Sequence, residues 1–138
     1  LDFVISVREK IPADAKLILV LDLMNPMVFS EIEPYADAIL IGMRFMTEGP
    51  SAKAFANIAC GKTEPSGLLA FQMPKDMDTV EAQLEDVPRD MDCYVDADGN
   101  TYDFCFGLNW SGVIDDERTK TYKAAPLTKP ETEVVATD

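Results

Sequence analysis

The chain has 138 residues, 47% of them hydrophobic, which is enough for one compact domain with a core of its own. Its 25 acidic and 12 basic side chains give a formal net charge of −13, which repels nucleic acid and anionic lipid surfaces. We therefore expect no nucleic-acid partner, and no membrane partner because no apolar run approaches the roughly 20 residues of a membrane helix.

Histidine is absent, which removes the commonest general base and the commonest metal ligand. Cys60, Cys93 and Cys105 are odd in number and lack CxxC spacing, so they predict neither a disulfide framework nor a zinc site. We expect them to be small buried hydrophobic residues, and we expect no metal and no cofactor. Unpaired cysteines favour a reducing, cytoplasmic compartment, while a periplasmic or secreted protein stays open.

The N-terminal part has the pattern of a βαβ unit. Residues 1–10 predict an apolar helix, and runs at residues 16–21 and 38–42 predict two strands buried on both faces of a parallel sheet. Residues 27–35 space their apolar side chains helically and predict the connecting helix. Because the first helix begins at Leu1 without a methionine, we expect the chain to be a piece of a longer protein.

A second helix and a third strand follow. Residues 51–60 predict a helix with Ser51 as its N-cap and Gly61 as its C-terminal stop. After a Pro-Ser-Gly turn, residues 68–73 predict the third strand.

The C-terminal part is more polar. Residues 74–92 are acidic and irregular, which predicts a long surface connection. Residues 93–95 and 101–104 flank Asp96-Ala97-Asp98-Gly99-Asn100 and predict a β-hairpin with an Asp-Gly turn. We favour this hairpin over a calcium loop because the glycine and glutamate positions of such a loop do not match. Beyond Tyr122 the sequence predicts a tail that is disordered or held by a partner domain.

These elements predict an α/β fold, a three-layer α/β sandwich with a mostly parallel sheet and a C-terminal β-hairpin. The domain is expected to cover residues 1–122, followed by a polar tail at residues 123–138. In alternating α/β sheets, ligands bind at the carboxyl ends of the strands, which points to residues 22–25 and 43–50.

The chemistry that remains open to this sequence is that of carboxylates. It has no phosphate loop and no GxSxG motif, and its serines lack a histidine base. Carboxylates suit glycosidic bond cleavage because one acid protonates the leaving oxygen while another stabilises the oxocarbenium ion. Glu48, in the loop after the second strand, is the best-placed candidate. The other acidic candidates, which we expect to be solvated, with capping or pairing by one of the first two as the alternative, are Glu31, Glu33, Asp115, Asp116 and Glu117.

Two stretches resemble the second domain of family 3 glycoside hydrolases of the β-glucosidase type. One is residues 61–74 with the turn Pro65-Ser66-Gly67, and the other is the aromatic run at residues 102–110. The preceding helix also resembles that of the family, with Asn57 where aspartate is usual, and Ala70 stands where proline is common. The resemblance implies a retaining, two-carboxylate enzyme that acts on β-linked glucosides or related oligosaccharides.

The resemblance also implies site residues and a partner. The family's nucleophile is an aspartate on a preceding barrel domain, often in a Ser-Asp-Trp motif that is absent here. Thr47-Glu48-Gly49 resembles the loop that carries the acid/base in one subgroup, although Met46 replaces the preceding glycine and the spacing to the helix is longer. In other subgroups the acid lies upstream. Arg44, in the same loop, is the candidate contact for the substrate or the barrel.

Two alternatives stay open. The first is a catalytically inactive sugar-binding or interaction domain that kept the fold. The second is a flavodoxin-like regulatory domain, suggested only by the βαβ pattern, although a suitably placed lysine and threonine are missing. The formation of a homo-oligomer is also open.

Overall fold

The computed structural model describes residues 1–42, 49–84, 87–121 and 129. Its helices and strands, in chain order, are α1 (Asp2–Lys10), β1 (Ile18–Asp22), β2 (Ala38–Gly42), α2 (Gly49–Ala59), α3 (Met77–Glu81), β3 (Leu108–Asn109), β4 (Gly112–Val113) and α4 (Glu117–Thr121). The described residues form a mixed α/β fold with a two-stranded parallel sheet and an antiparallel pair. None of the helices in this part of the chain has the length and apolar character to span a membrane.

The parallel sheet confirms the two strands predicted near the N-terminus. β1 and β2 pair in register, and Asp22 lies opposite Gly42 at their carboxyl ends. Helix α1 is also confirmed at the predicted position. Both strands are only partly buried, and Val20 is 46% exposed, so the prediction of burial on both faces is wrong for the described residues.

The connection between β1 and β2 departs from the prediction. Only Glu33–Tyr35 forms a helical turn, of the 3-10 type, in place of a helix over residues 27–35. Pro34 has no N–H to donate and its ring clashes with the carbonyl four residues earlier, so an α-helix cannot continue through it. The connection buries Phe29 and Ile32 instead, and these residues form the centre of the core.

Helix α2 begins at Gly49, so the prediction of Ser51 as its N-cap is wrong. The predicted stop at Gly61 is confirmed. Gly61 has a φ of +66°, and the N–H of Lys62 donates to the carbonyl of Asn57 at 2.7 Å. A glycine in the left-handed conformation thereby lets the following N–H groups satisfy the last carbonyls of the helix.

The third predicted strand, residues 68–73, is not a strand in the structure. Its backbone bonds to the aromatic segment instead: the N–H of Leu69 donates to the Phe106 carbonyl at 2.7 Å, and that of Met73 to the Tyr102 carbonyl at 2.9 Å. This pairing places the fully buried Met73 beside Phe29 in the core.

The predicted hairpin over residues 93–104 is confirmed. Val95 bridges Thr101 in antiparallel fashion, and the N–H of Tyr102 donates to the Tyr94 carbonyl at 2.9 Å. The C-terminal tail predicted at residues 123–138 lies outside the described residues, apart from Lys129.

Residues 74–92 contain more structure than predicted. Asp76 caps α3, its Oδ1 accepting the N–H of Thr79 at 2.8 Å, and this bond lowers the pKa of Asp76. Val87 is 1% exposed and belongs to the interior. The prediction of a long surface connection is therefore wrong for the described part of this segment.

Candidate functional site

The carboxyl ends of β1 and β2 lie side by side, where the sequence predicts a ligand site. The N–H of Leu23 extends the pairing beyond Asp22 by donating to the Gly42 carbonyl at 2.9 Å. In the sequence, residues 43–48 connect the end of β2 at Gly42 to the first residue of α2, Gly49. Loops in this position carry the ligand sites of α/β proteins.

Glu48 and Arg44, the two predicted site residues, lie outside the described residues. Their roles as acid/base and as substrate contact therefore stay predictions. Asp22 is the last residue of β1 and Asn25 follows it three residues later; both are exposed, so this edge presents polar side chains to solvent.

A cleft of about 540 Å³ separates β2 from residues 65–71, within the range of about 300–1,000 Å³ that is typical of small-molecule sites. Carboxylates of Glu33, Asp96 and Asp98 are among its lining groups. Its apolar walls come from β2, α2, residues 65–71 and the aromatic segment, and they include Ile39, Ile41, Phe55, Ile58 and Phe106.

Glu33 is bound to the hairpin rather than solvated. The Tyr94 hydroxyl donates to Glu33 Oε2 at 2.8 Å, while Glu31 is exposed, so the expectation of a solvated carboxylate is wrong for Glu33 and holds for Glu31. Burial, with the neighbouring Glu33, raises the pKa of Tyr94 to about 12. Burial also raises the pKa of Tyr102 above its ordinary value. Both tyrosines are therefore protonated at neutral pH.

The carboxylate of Asp96 is used inside the hairpin turn. Its Oδ1 accepts the N–H groups of Asp98 at 3.0 Å and Asn100 at 2.8 Å, and Gly99 has a φ of +84°. This geometry confirms the hairpin reading of the segment. In the parts of the chain that the structure describes, no group of three or more Cys, Asp or Glu side chains is placed to hold a metal ion.

A buried polar network behind the aromatic segment was not predicted. Gln72 is 6% exposed, and its Nε2 donates to the Met91 carbonyl at 3.1 Å and to Asp103 Oδ1 at 3.0 Å. Arg89 completes the network through a 3.1 Å ion pair with Asp103. The available signals were a glutamine inside an apolar run and an aspartate between two aromatic residues.

The three cysteines are free. Cys60 is exposed, whereas Cys93 and Cys105 are half-buried, so the expectation of buried hydrophobic residues is wrong for Cys60. Burial, with a contribution from Asp103, raises the pKa of Cys93 to about 11, and burial raises the pKa of Cys105 as well. Because the thiolate is the nucleophile, neither of these two thiols is activated at neutral pH.

The acidic run near the C-terminus is paired rather than simply solvated. Arg118 donates to Asp116 Oδ2 at 2.6 Å and lowers the pKa of that carboxyl, and it also donates to the Ser66 carbonyl at 2.8 Å. Lys120 pairs with Glu117 at 2.8 Å on the exposed face of α4. These carboxylates therefore serve local structure.

Curated fungal proteins are similar to part of the chain. β-Glucosidase C of Emericella nidulans is 35% identical over 83 residues, which are 60% of the chain and 13% of that protein. A probable β-glucosidase C of Aspergillus flavus is 36% identical over 83 residues, again 60% of the chain and 12% of that protein. One of Aspergillus oryzae is 39% identical over 66 residues, 48% of the chain and 10% of that protein.

The chain thus spans only 10% to 13% of the length of these relatives. No family model matches it, and no solved structure matches it significantly. Over part of its length, the chain is therefore related to a short segment of glycoside hydrolases.

Proposed function

We propose that the chain is part of a retaining family 3 glycoside hydrolase of the β-glucosidase type, acting on β-linked glucosides or related oligosaccharides. The observation that carries this proposal is the similarity of 60% of the chain to a fungal β-glucosidase C. The two stretches that resemble the family also bond to each other: Cys105 N–H donates to the Leu69 carbonyl at 2.8 Å. This pairing joins the two stretches in one structural unit, as expected if both belong to the same domain of such an enzyme.

The proposal includes a three-layer α/β sandwich over residues 1–122. The cleft beside β2 supports it, since apolar side chains line both sides. Parallel sheets are normally covered on both faces, and the partly buried β1 and β2 are not yet covered to that extent.

Glu48 is the proposed acid/base. In sequence it ends the loop after β2 and directly precedes Gly49, the first residue of α2. A helix N-terminus favours the charged form of a carboxylate, whereas a general acid requires a raised pKa. A dry pocket formed when the barrel domain docks is proposed to supply that rise by desolvation. Arg44 is proposed to contact the substrate or the barrel.

The proposed nucleophile is an aspartate of the barrel domain, outside the chain. It attacks the anomeric carbon to form a glycosyl-enzyme, while the acid/base protonates the leaving oxygen and then activates water. One carboxylate cannot perform both steps, so the chain alone is proposed to be inactive. Several carboxylates of the described residues are bound within the fold, namely those of Glu33, Asp96, Asp103 and Asp116.

The test is hydrolysis of 4-nitrophenyl β-glucoside by the longer protein and by its Glu48→Gln variant, with Glu31→Gln as a matched exposed control. We expect Glu48→Gln to lower kcat by about 100-fold or more, the usual contribution of a general acid. Added azide should restore turnover, because it attacks the glycosyl-enzyme in place of water without needing a general base and releases the nucleophilic carboxylate as a glycosyl azide forms. A fully active Glu48→Gln enzyme would reject this residue as the acid, and an inactive longer protein would reject the activity.

The second candidate function is a catalytically inactive sugar-binding or interaction domain. Met46, where the family has glycine, and the longer spacing between Glu48 and the helix favour it, because both alter the loop that should carry the acid. Titration of glucose or cellobiose against the longer protein separates the two candidates. Binding without turnover would support this second function.

A further inference from the structure

A second cavity, of about 490 Å³, lies against the aromatic segment and α4. Its volume falls within the range of about 300–1,000 Å³ that is typical of small-molecule sites. Phe106, Val113 and Ile114 contribute apolar wall. Among the described residues, its polar lining includes Arg89, Asp103, Asp115 and Thr119.

The polar groups of this cavity are held in place by contacts with the fold. Asp103 accepts from the buried Gln72 amide at 3.0 Å and from Arg89 at 3.1 Å. Thr119 is 7% exposed, and its Oγ1 lies 3.3 Å from Asp115 Oδ1. Groups that are already oriented lose little conformational freedom when a ligand binds.

Backbone strain is concentrated at the same cavity. Arg89 has a φ of +62° and Cys105 a φ of +68°, and among the described residues these are the non-glycine residues with positive φ. Both line the cavity. Residues in this left-handed region are uncommon and cluster at ligand-binding and active sites. The strain is thus a second observation, independent of the cavity's shape, that indicates a binding site.

The charges of the lining restrict the class of ligand. The positive charge of Arg89 repels a cationic ligand, and the negative charges of Asp103 and Asp115 repel an anionic one. A neutral ligand avoids both kinds of charge repulsion. If it carries hydrogen-bond donors and acceptors, it can bond to each of these side chains. A pyranose ring has this chemistry, since its hydroxyls donate and accept and its C–H faces suit apolar walls.

We propose that this cavity binds a neutral pyranose unit. The choice of a glucoside as the sugar rests on the proposed function. The test is an NMR titration of the full 138-residue chain with methyl β-glucoside, with glucosamine and glucuronate as charged analogues. We expect shift changes centred on residues 103–106 and 113–119, and weaker binding of both analogues.

Two substitutions of exposed carboxylates complete the test. Asp115→Ala should weaken binding by about tenfold, because it removes a charged hydrogen-bonding group from the cavity. Asp78→Ala, in α3 and outside the cavity lining, should bind as the parent chain does. Shift changes that are absent or confined to other residues, unchanged affinity in Asp115→Ala, or tighter binding of either charged analogue would overturn the proposal.

The outcome is distinguishable from that of the proposed function. If the 138-residue chain binds methyl β-glucoside and the longer protein has no glucosidase activity, only the proposed activity is rejected. An active longer protein whose chain shows no binding at these residues would reject this site alone.

Discussion

The part of the chain up to Gly42 and the part between residues 68 and 121 are stabilised in different ways. In the first, two regular strands pair through their backbones, and the ion pairs of Asp37 with Arg8 and Lys16 lie at the surface. In the second, the backbone is mostly irregular and the buried Gln72 supplies hydrogen bonds. Because buried backbone groups must be paired, a segment with little regular structure needs polar side chains at fixed positions.

Gly107→Ala is the substitution that we expect to destabilise the part between residues 68 and 121 most. A Cβ at Gly107 would overlap the carbonyl oxygen of Gly67, and the hydrogen bond from the Leu69 N–H to the Phe106 carbonyl holds the two segments together. We expect the free energy of unfolding to fall by about 3 kcal/mol, measured by urea denaturation. Gly67→Ala is the matched control, because nothing lies within 4 Å of its added Cβ. Equal losses in the two variants would contradict the argument.

Gln72→Leu tests whether side chains replace regular pairing in this part. Leucine is similar in size but leaves the Met91 carbonyl and N–H and one bond of Asp103 unsatisfied. We expect a loss of about 2 kcal/mol in the free energy of unfolding, the usual cost of unpaired buried polar groups. Gln83→Leu, at an exposed position, is the control. A neutral Gln72→Leu variant would show that the network does not contribute to stability.

Asp37→Asn tests how much the surface ion pairs stabilise the part of the chain up to Gly42. Its expected effect on stability is the smallest of the three substitutions. Hydrogen bonds from the Leu17 N–H and then from Lys16 lower the pKa of Asp37 from 3.8 to about 2. Such a carboxylate stabilises the fold fully above pH 3.8, and this contribution is lost as the pH falls through about 2. The effect is small because exposed ion pairs contribute little.

The measurement for Asp37→Asn is the Tm across that pH range. The variant should unfold at a lower temperature than the parent chain above pH 3.8, and the difference should vanish below about pH 2. Asp14→Asn, another exposed aspartate, is the control. A difference in Tm that persists unchanged at the lowest pH would show that the carboxylate charge of Asp37 is not the cause.

The local elements of the fold were predictable from the sequence. Apolar runs and the Asp-Gly turn act over a few residues, and they predicted α1, β2 and the hairpin correctly. The helix expected over residues 27–35 fails at Pro34, whose chemistry outweighs the periodicity. Residues 68–73 have a strand pattern, but tertiary contacts decide what they pair with, and periodicity does not encode those contacts.

The candidate site was predictable only in part. Alternation of strands and helices indicates the carboxyl edge of β1 and β2, because the topology follows from it. The cavity beside Arg89 was not predictable. A left-handed arginine or cysteine has no local sequence signal, and Gln72 meets Asp103 only because distant segments fold together.

The two hydrogen bonds between the Gln72 amide and Met91 also restrict which side chains can replace Gln72. Its Oε1 accepts the Met91 N–H at 3.2 Å while its Nε2 donates to the Met91 carbonyl at 3.1 Å. Two facing residues of antiparallel strands exchange the same pair of bonds. The side chain therefore stands in for a peptide group and adds a single rung to a ladder that the backbone does not continue. Glutamate would keep the shape and lose the donor, so the position requires an amide rather than polarity or size alone.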